Sequence, residues 1–139
     1  MQDLNETYPI LAQLGYREML DSLDSEPDLT RLGRVMRQDR QRYSVITENG
    51  IVRAALTTGQ RFDPRDKTAL PVVGDWVTLG ELEAANATTP ITGRIPRRSK
   101  LSRRASGDNY LEQILVSNLD LIFVVSGLDM EQQNPLNLT

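Results

Sequence analysis

The residues best suited to chemistry in this chain are cations packed into one short stretch. The sequence RIPRRSKLSRR, residues 94–104, holds six positive charges in eleven residues, although the net charge of the chain is −3. Arginine side chains grip phosphate oxygens in pairs, and serine and lysine side chains supply further donors. We therefore predict that this stretch contacts the phosphates of a nucleic acid, through Arg94, Arg97, Arg98, Lys100, Ser102, Arg103 and Arg104.

The same stretch predicts little regular structure beyond its first residues. Arg94 and Ile95 are expected to end a strand, whereas Pro96 and the repulsion between neighbouring charges disfavour regular structure after it. The prediction is a mobile loop that becomes ordered when it meets RNA. The alternative is a solvated linker whose charges only keep a flexible segment soluble, and the residues alone leave both interpretations open.

A second set of arginines lies along and beside the first predicted strand. Arg34 and Arg40 fall on one face if that strand is regular, and we predict that both bind RNA. The alternative is a polar barrel face that needs no function. The full set is Arg31, Arg34, Arg37, Arg40 and Arg42.

Two aromatic side chains could serve as platforms on which bases stack. Tyr43 alternates with Val45, however, which points it inward, and a lone tryptophan such as Trp76 is more often part of a core. The chain has only seven aromatic residues, four Tyr, two Phe and one Trp. This scarcity favours recognition of RNA backbone and shape over recognition of unstacked bases.

Composition excludes several kinds of catalytic and metal site. The chain has no cysteine and no histidine, which removes disulfides, thiol nucleophiles, imidazole bases and the usual zinc ligands. Asp63 and Asp66 flank arginines without forming a convincing carboxylate pair, and Gly74-Asp75 predicts a tight turn before a strand. We predict no catalytic residue, no metal site and no cofactor in this chain.

The net charge is an average over three dissimilar segments. Residues 1–30 carry a charge of −6, residues 31–104 carry +8 and residues 105–139 carry −5. Only the middle segment has the balance of a polyanion-binding protein. No apolar run is long enough to span a membrane, and the N-terminus lacks the pattern of a secretory signal. We expect a cytoplasmic protein with no membrane partner.

The elements that must position the cations are mostly strands. Residues 9–23 have roughly helical apolar spacing and predict one or two short amphipathic helices, followed by a polar connector at 24–28. Runs at 33–38, 42–48, 51–57, 73–80 and 91–95 predict strands, and Asn49-Gly50 between the second and third is a strong hairpin signal. Five short strands predict a small all-β barrel of OB type, although an SH3-like barrel would give nearly the same pattern.

The C-terminal third contains two further predicted elements. Residues 108–117 place Leu111, Ile114 and Leu115 on one helical face behind a possible Asp108 cap, which predicts a short helix. Residues 119–126, LDLIFVVS, are apolar almost without alternation and predict a strand buried on both faces. Because little sequence follows that could cover both faces, we expect this strand to begin an α/β domain that is missing from the chain.

These motifs together resemble a known family. GRV, Arg40-x-x-Tyr43-x-Val45, PVVGDWV at 71–77, IPRRSKLSRRASG at 95–107 and EQILVSNLDLIFVVSGLD at 112–129 have the order and spacing seen in the ribosome small-subunit-dependent GTPase A family. The resemblance covers most of residues 8–129. It implies an OB barrel that docks on the small ribosomal subunit through its rRNA, a circularly permuted GTPase domain and a zinc-binding domain, with GTP, magnesium and zinc as cofactors of the full-length proteins. It also implies a role late in small-subunit maturation.

The chain departs from that family in what it lacks. It has no Gly-x-x-x-x-Gly-Lys-Ser/Thr loop for phosphates and no Asn-Lys-x-Asp motif for guanine, so we expect it neither to bind nor to hydrolyse GTP. The expected organisation is a helical extension at 1–30, the barrel at 31–98, a basic loop and short helix at 99–118 and the start of the GTPase domain at 119–139. The expected partner is the small subunit and its rRNA, not DNA.

Two other functions remain open at this point. A free-standing OB protein would bind single-stranded RNA by stacking its bases. A protein-interaction module would use the exposed strand at 119–126 to extend a partner's sheet.

Overall fold

The computed structural model describes residues 4–56, 68–81, 87–104 and 112–127. Three short helices come first: α1 (Leu4–Thr7), α2 (Pro9–Gln13) and α3 (Tyr16–Leu20). A single 3-10 turn, Leu29–Arg31, leads into the strands. The strands are β1 (Leu32–Asp39), β2 (Arg42–Thr47), β3 (Gly50–Leu56), β4 (Trp76–Leu79), β5 (Thr89–Arg94), β6 (Lys100–Arg104) and β7 (Glu112–Ser117).

The first five strands close into a barrel in the order β1-β2-β3-β5-β4. All neighbours are antiparallel except β3 and β5, and β1 pairs with β4 to complete the closure. The parallel pair excludes a barrel made only of consecutive hairpins and gives the five-stranded OB type. The predicted fold class is therefore confirmed. The Asn49-Gly50 hairpin is confirmed as well, since Gly50 has φ +114° and Thr47 pairs with Gly50 across the turn.

The barrel interior is filled by the alternating apolar residues of its strands. Tyr43 and Val45 on β2 point inward and are 3% and 0% exposed, so the interpretation of Tyr43 as core is confirmed. Because its ring lies inside the barrel, Tyr43 offers no face to a base. The interior cluster comprises Val35, Tyr43, Val45, Ala54, Val77, Leu79 and Ile91.

A second apolar cluster joins the N-terminal helices to the barrel. Trp76 is 2% exposed and lies in this cluster, as the core interpretation predicted. The Glu48 carboxylate, from the turn between β2 and β3, accepts hydrogen bonds from the backbone N–H groups of Ile10 (3.2 Å) and Leu11 (2.9 Å) at the start of α2. The helical extension is thus part of the folded unit. The cluster contains Leu11, Tyr16, Met19, Leu29, Leu32, Trp76 and Ile95.

The first strand is not regular, and this corrects one prediction. Val35 pairs with Val45 and Arg37 pairs with Ser44, so Met36 is an extra residue at a β-bulge. Arg40 lies beyond the strand, in the turn to β2, with φ +54°. The expectation that Arg34 and Arg40 share a face is therefore wrong, because the bulge shifts the alternation and Arg40 leaves the sheet.

The segment around the basic stretch also differs from its prediction. Residues 112–117 form strand β7 and not a helix, and β7 pairs antiparallel with β6. The basic stretch is therefore a strand from Lys100 to Arg104, where a mobile loop was predicted. Ile114 and Ser117 are both buried, although they are three positions apart. The pairing register shifts between Leu101 and Ser102, and this bulge allows buried residues at helical spacing to belong to a strand. A paired neighbour overrode a weak local preference.

The apolar residues that follow β7 form no strand in the described part of the chain. Residues 119–127 have no partner in either sheet, and the side chains of Leu121, Phe123 and Val125 are 69%, 83% and 93% exposed. The prediction of a strand at 119–126 is wrong for this structure, because a strand needs a neighbour to satisfy its backbone groups. Across the described residues, no helix reaches the length and apolarity that crossing a membrane requires.

Candidate nucleic-acid interface

A buried carboxylate organises the region from which the basic stretch emerges. Asp75 is 0% exposed and follows Gly74, whose φ of +96° confirms the predicted turn. Its Oδ2 accepts a hydrogen bond from the Val72 N–H at 2.8 Å, as turn chemistry requires. A carboxylate withdrawn completely from water must also find cationic or hydroxyl partners.

Arg97 is the cationic partner of Asp75. Its Nε lies 2.8 Å from Oδ1 and its Nη2 lies 2.8 Å from Oδ2, which is a two-point pair. The same guanidinium donates to the carbonyl oxygens of Thr68 at 2.8 Å and Leu70 at 3.0 Å. The side chain is 9% exposed. Arg97 was predicted to bind RNA, but the structure commits its donors to the protein interior.

Two consecutive residues at the end of β7 tie the second sheet to the same turn. The Ser117 hydroxyl donates to Asp75 Oδ1 at 2.6 Å, and the Asn118 side-chain amide donates to the Gly74 carbonyl at 3.0 Å. Asn118 Oδ1 accepts from the backbone N–H of Arg98 at 2.8 Å. The two-stranded sheet β6-β7 is therefore fixed to the barrel at its base.

Arg34 is also built into this junction. Its guanidinium donates to the carbonyl oxygens of Leu14 (2.6 Å), Gly74 (3.0 Å) and Asn118 (2.8 Å). Its charge lies 5.6 Å from the centre of the Trp76 ring, a cation–π contact. Burial lowers the pKa of Arg34, an effect partly offset by the carboxylate of Asp120. The structure thus places this predicted RNA-binding residue against three segments of its own chain.

The remaining predicted residues differ in how far they face water. The side chain of Ser102 is turned inward, since the residue is only 9% exposed. Arg94 is half-buried, with its Nε 3.3 Å from the Ala69 carbonyl. Arg40 is exposed but lies at the β1–β2 turn, apart from the basic stretch in sequence and sheet. The structure brings four exposed cations together on and just before β6: Arg98, Lys100, Arg103 and Arg104.

Two of the exposed cations contact β7 through surface interactions. Lys100 Nζ lies 2.8 Å from a carboxylate oxygen of Glu112, and Arg103 Nε donates to Gln113 at 3.0 Å. Hydrogen bonds from Lys100 and then Ser102 lower the pKa of Glu112. We call the paired strands β6 and β7, with Arg98, the cationic ribbon. Its donors are held in place by strand pairing and not by a ligand.

The residues that hold this ribbon on the barrel were hardly predictable from local sequence patterns. Asp75 was assigned to turn chemistry alone, and Ser117 and Asn118 had no assigned role. Asp75 and Ser117 are 42 positions apart, so no local pattern could connect them. The one available signal was an aspartate within the apolar run 71–79, where an unpaired carboxylate would be costly. Within the described ranges, no cluster of carboxylates could hold a metal ion.

Comparison with known proteins gives a consistent picture. No protein-family model matches this chain. It is 34% identical over 105 residues to the "Small ribosomal subunit biogenesis GTPase RsgA" of Opitutus terrae, covering 70% of this chain and 29% of that protein. The protein of the same name from Xylella fastidiosa (strain M23) is 37% identical over 103 residues, covering 71% of this chain and 28% of that protein.

A further relative extends the matched region. "Small ribosomal subunit biogenesis GTPase RsgA 1" of Oceanobacillus iheyensis is 32% identical over 114 residues, covering 82% of this chain and 31% of that protein. The chain thus spans about three tenths of the length of these relatives. The chain belongs to the small ribosomal subunit biogenesis GTPase family and matches the N-terminal, OB-barrel region of its members.

Proposed function

We propose that this chain is the docking region of a ribosome-biogenesis GTPase and that it binds the rRNA of the small ribosomal subunit through the cationic ribbon. The names of its relatives indicate the process, ribosome biogenesis, and the subunit. The observation that supports the RNA contact is a set of four exposed cations, of which three lie on strand β6 and one, Arg98, lies two positions before it. Arg98, Lys100, Arg103 and Arg104 can contact phosphates without first ordering a loop.

The surface interactions of the ribbon leave it able to bind an anion. An exposed ion pair such as Lys100–Glu112 contributes only about 0–1 kcal/mol, so a phosphate can compete for the ammonium group. Arg97 and Arg34 are not proposed to contact RNA. They hold the ribbon on the barrel, because their donors are engaged with Asp75 and with backbone carbonyls.

The proposed mode of recognition is contact with the RNA backbone and its shape. Tyr43 and Trp76 are both buried, so these two barrel residues cannot stack on bases. This favours docking on folded rRNA over the alternative of a free-standing protein for single strands. A competition experiment separates the two, since preference for unstructured oligonucleotides over whole small subunits would support the alternative.

We propose no GTP binding or hydrolysis for this chain. The sequence contains neither the phosphate loop nor the guanine-reading motif. We propose GTP, magnesium and zinc as cofactors of the full-length proteins that the chain resembles, and not of these residues. We propose that the isolated chain binds the subunit without hydrolysing GTP, and that it acts in the cytoplasm without a DNA or membrane partner.

Co-sedimentation with purified small subunits tests the docking role. The variant R103E/R104E should lose most binding, whereas R17E/R31E, which makes the same change in net charge away from the ribbon, should retain it. If about four cations meet phosphates, the slope of log affinity against log salt should be about −3 to −4. Binding by R103E/R104E that equals the wild type would exclude the ribbon as the docking surface.

Residues 121–125 support a second candidate function, docking of a protein partner. Phe123 and Val125 are 83% and 93% exposed in an apolar run. The matched test removes residues 121–139 and keeps Asn118, which is needed to hold the ribbon. Loss of a protein partner with unchanged subunit binding would support this function, while loss of subunit binding would assign the segment to docking.

A further inference from the structure

Three arginines outside the ribbon converge on one pocket of the barrel wall. The pocket has a volume of about 300 Å³ and lies over the outer face of β1, β2 and β3. Its size is at the lower end of the range for small-ligand sites. It is lined by Arg37, Asp39, Arg42, Tyr43, Ser44 and Arg53.

Strand register explains why these side chains meet. Ser44 pairs with Arg37 on β1 and with Arg53 on β3, so the three residues form a row across the sheet. Arg42 is two positions from Ser44 on β2 and therefore projects from the same face. Tyr43 between them points inward, which leaves the outer face to the serine hydroxyl and the guanidinium groups.

The charges of this row are not neutralised by the protein. The side chains of Arg37, Arg42 and Arg53 are exposed, and within the described parts of the chain none of their guanidinium groups makes a hydrogen bond or ion pair with another residue. Asp39 is the one acidic residue of the pocket lining, which leaves an excess of two positive charges. Like charges held close together cost stability until an anion enters between them.

We infer that this pocket is a binding site for a phosphate group, gripped by Arg37 and Arg53 from opposite sides and by Arg42 from the end of the row. The Ser44 hydroxyl at its centre donates to the same group. Each guanidinium fork can donate two hydrogen bonds to a phosphate group, and the three oxygens of that group can accept from several arginines at once. The site is separate from the cationic ribbon and goes beyond the proposed function, since the same chemistry fits an RNA backbone or a free phosphate.

NMR detection of the arginine Nε–Hε groups tests the site in the whole chain. Sodium phosphate and a short double-stranded RNA hairpin are titrated separately, with sodium chloride at equal ionic strength as the reference. Saturable shifts of the Arg37, Arg42 and Arg53 signals with the hairpin assign the site to RNA backbone, and shifts with phosphate alone assign it to a free phosphate. Absence of shifts with both probes would overturn the inference.

Variants show whether the three arginines act as one site. R37Q/R53Q should abolish the shift of the Arg42 signal and, if RNA is the ligand, reduce the magnitude of its salt slope by about 2. R17Q/R31Q removes the same charge elsewhere and should leave the shift intact. An Arg42 shift that persists in R37Q/R53Q would contradict the shared site. The ribbon variant R103Q/R104Q should keep the phosphate response, so failure of the docking proposal would not be mistaken for failure of this one.

Discussion

The Asp75 carboxylate and the Arg97 guanidinium form a two-point ion pair inside the protein, with both N–O distances at 2.8 Å. Their side chains are 0% and 9% exposed, so each charge depends on the other. The pair lies where the barrel meets the cationic ribbon, and the Ser117 hydroxyl completes it. Arg97, which belongs to the basic stretch, thus holds the cationic ribbon on the barrel.

Replacing Asp75 should reveal how much the fold depends on this pair. Asp75→Asn leaves Arg97 as an uncompensated buried cation, and we expect the free energy of unfolding to fall by about 3–5 kcal/mol. Urea denaturation followed by circular dichroism measures the change. Asp24→Asn in the exposed connector removes the same charge and should shift stability by less than about 0.5 kcal/mol. Equal losses in the two variants would show that the pair does not stabilise the fold.

We expect a side chain at Gly74 to destabilise the fold through steric overlap with Ser117, in addition to any backbone strain. Gly74 and Gly50 both have positive φ, +96° and +114°. A Cβ at Gly74 would overlap the carbonyl oxygen of Ser117, whereas a Cβ at Gly50 meets nothing within 4 Å. We expect Gly50→Ala to cost about 1–2 kcal/mol from backbone conformation alone. Gly74→Ala should cost clearly more, and exchange of the β7 amide hydrogens should accelerate selectively.

If both glycine variants lose the same stability, the contact between Gly74 and Ser117 has no energetic weight. Faster exchange throughout the barrel in Gly74→Ala would also contradict a local effect on the ribbon.

The ribbon should respond to acid through Glu112. Hydrogen bonds from Lys100 and Ser102 lower the pKa of Glu112, so its charged form favours the folded ribbon. A lowered folded pKa means that this stabilisation is present above the ordinary pKa, about 4.3, and is lost as pH falls through the folded value. NMR titration of the Glu112 carboxyl carbon should give a midpoint below that ordinary value. Lys100→Gln should move the midpoint upward, and an unchanged midpoint would argue against the pair.

Glu48 should control attachment of the N-terminal helices. Its carboxylate accepts from the Ile10 and Leu11 N–H groups, so Glu48→Ala leaves two helix donors without this partner. We expect a loss of about 1–2 kcal/mol, with Glu48→Gln losing less because an acceptor remains. Trp76 is the only tryptophan and lies in the same apolar cluster as Leu11, so its fluorescence reports the change. Identical loss in both variants would exclude a capping role.

Much of the barrel could be predicted from local pattern. The alternation of Tyr43, Val45 and Thr47, followed by Asn49-Gly50, contains both the inward face and the turn of the β2–β3 hairpin. In this hairpin, the backbone conformation depends on only a few consecutive residues, so the local sequence is sufficient to predict it. The parallel pairing of β3 with β5 was not visible, because it joins segments separated by the long connection that contains β4.

The candidate site was predicted only in part for the same reason. The charge density of residues 94–104 indicated an anion-binding stretch, but not which cations would face water. Arg97 and Arg98 are adjacent and identical in type, yet one is paired with a carboxylate 22 positions away and the other is exposed. Likewise, β7 was predicted as a helix from the spacing of its apolar residues, and its partner β6 was predicted as a loop, so their pairing could not be anticipated.

The guanidinium of Arg34 donates hydrogen bonds to two backbone carbonyls that are far apart in sequence. One belongs to Leu14, 20 residues earlier at the turn before α3, and the other to Asn118, 84 residues later, just after the end of β7. One side chain therefore closes the two ends of the described fold onto the first strand. Neither the N-terminal helices nor the ribbon can separate from the barrel without breaking hydrogen bonds of this one group. Loss of either should then weaken the attachment of the other, which couples the helices and the ribbon into a single cooperative unfolding unit.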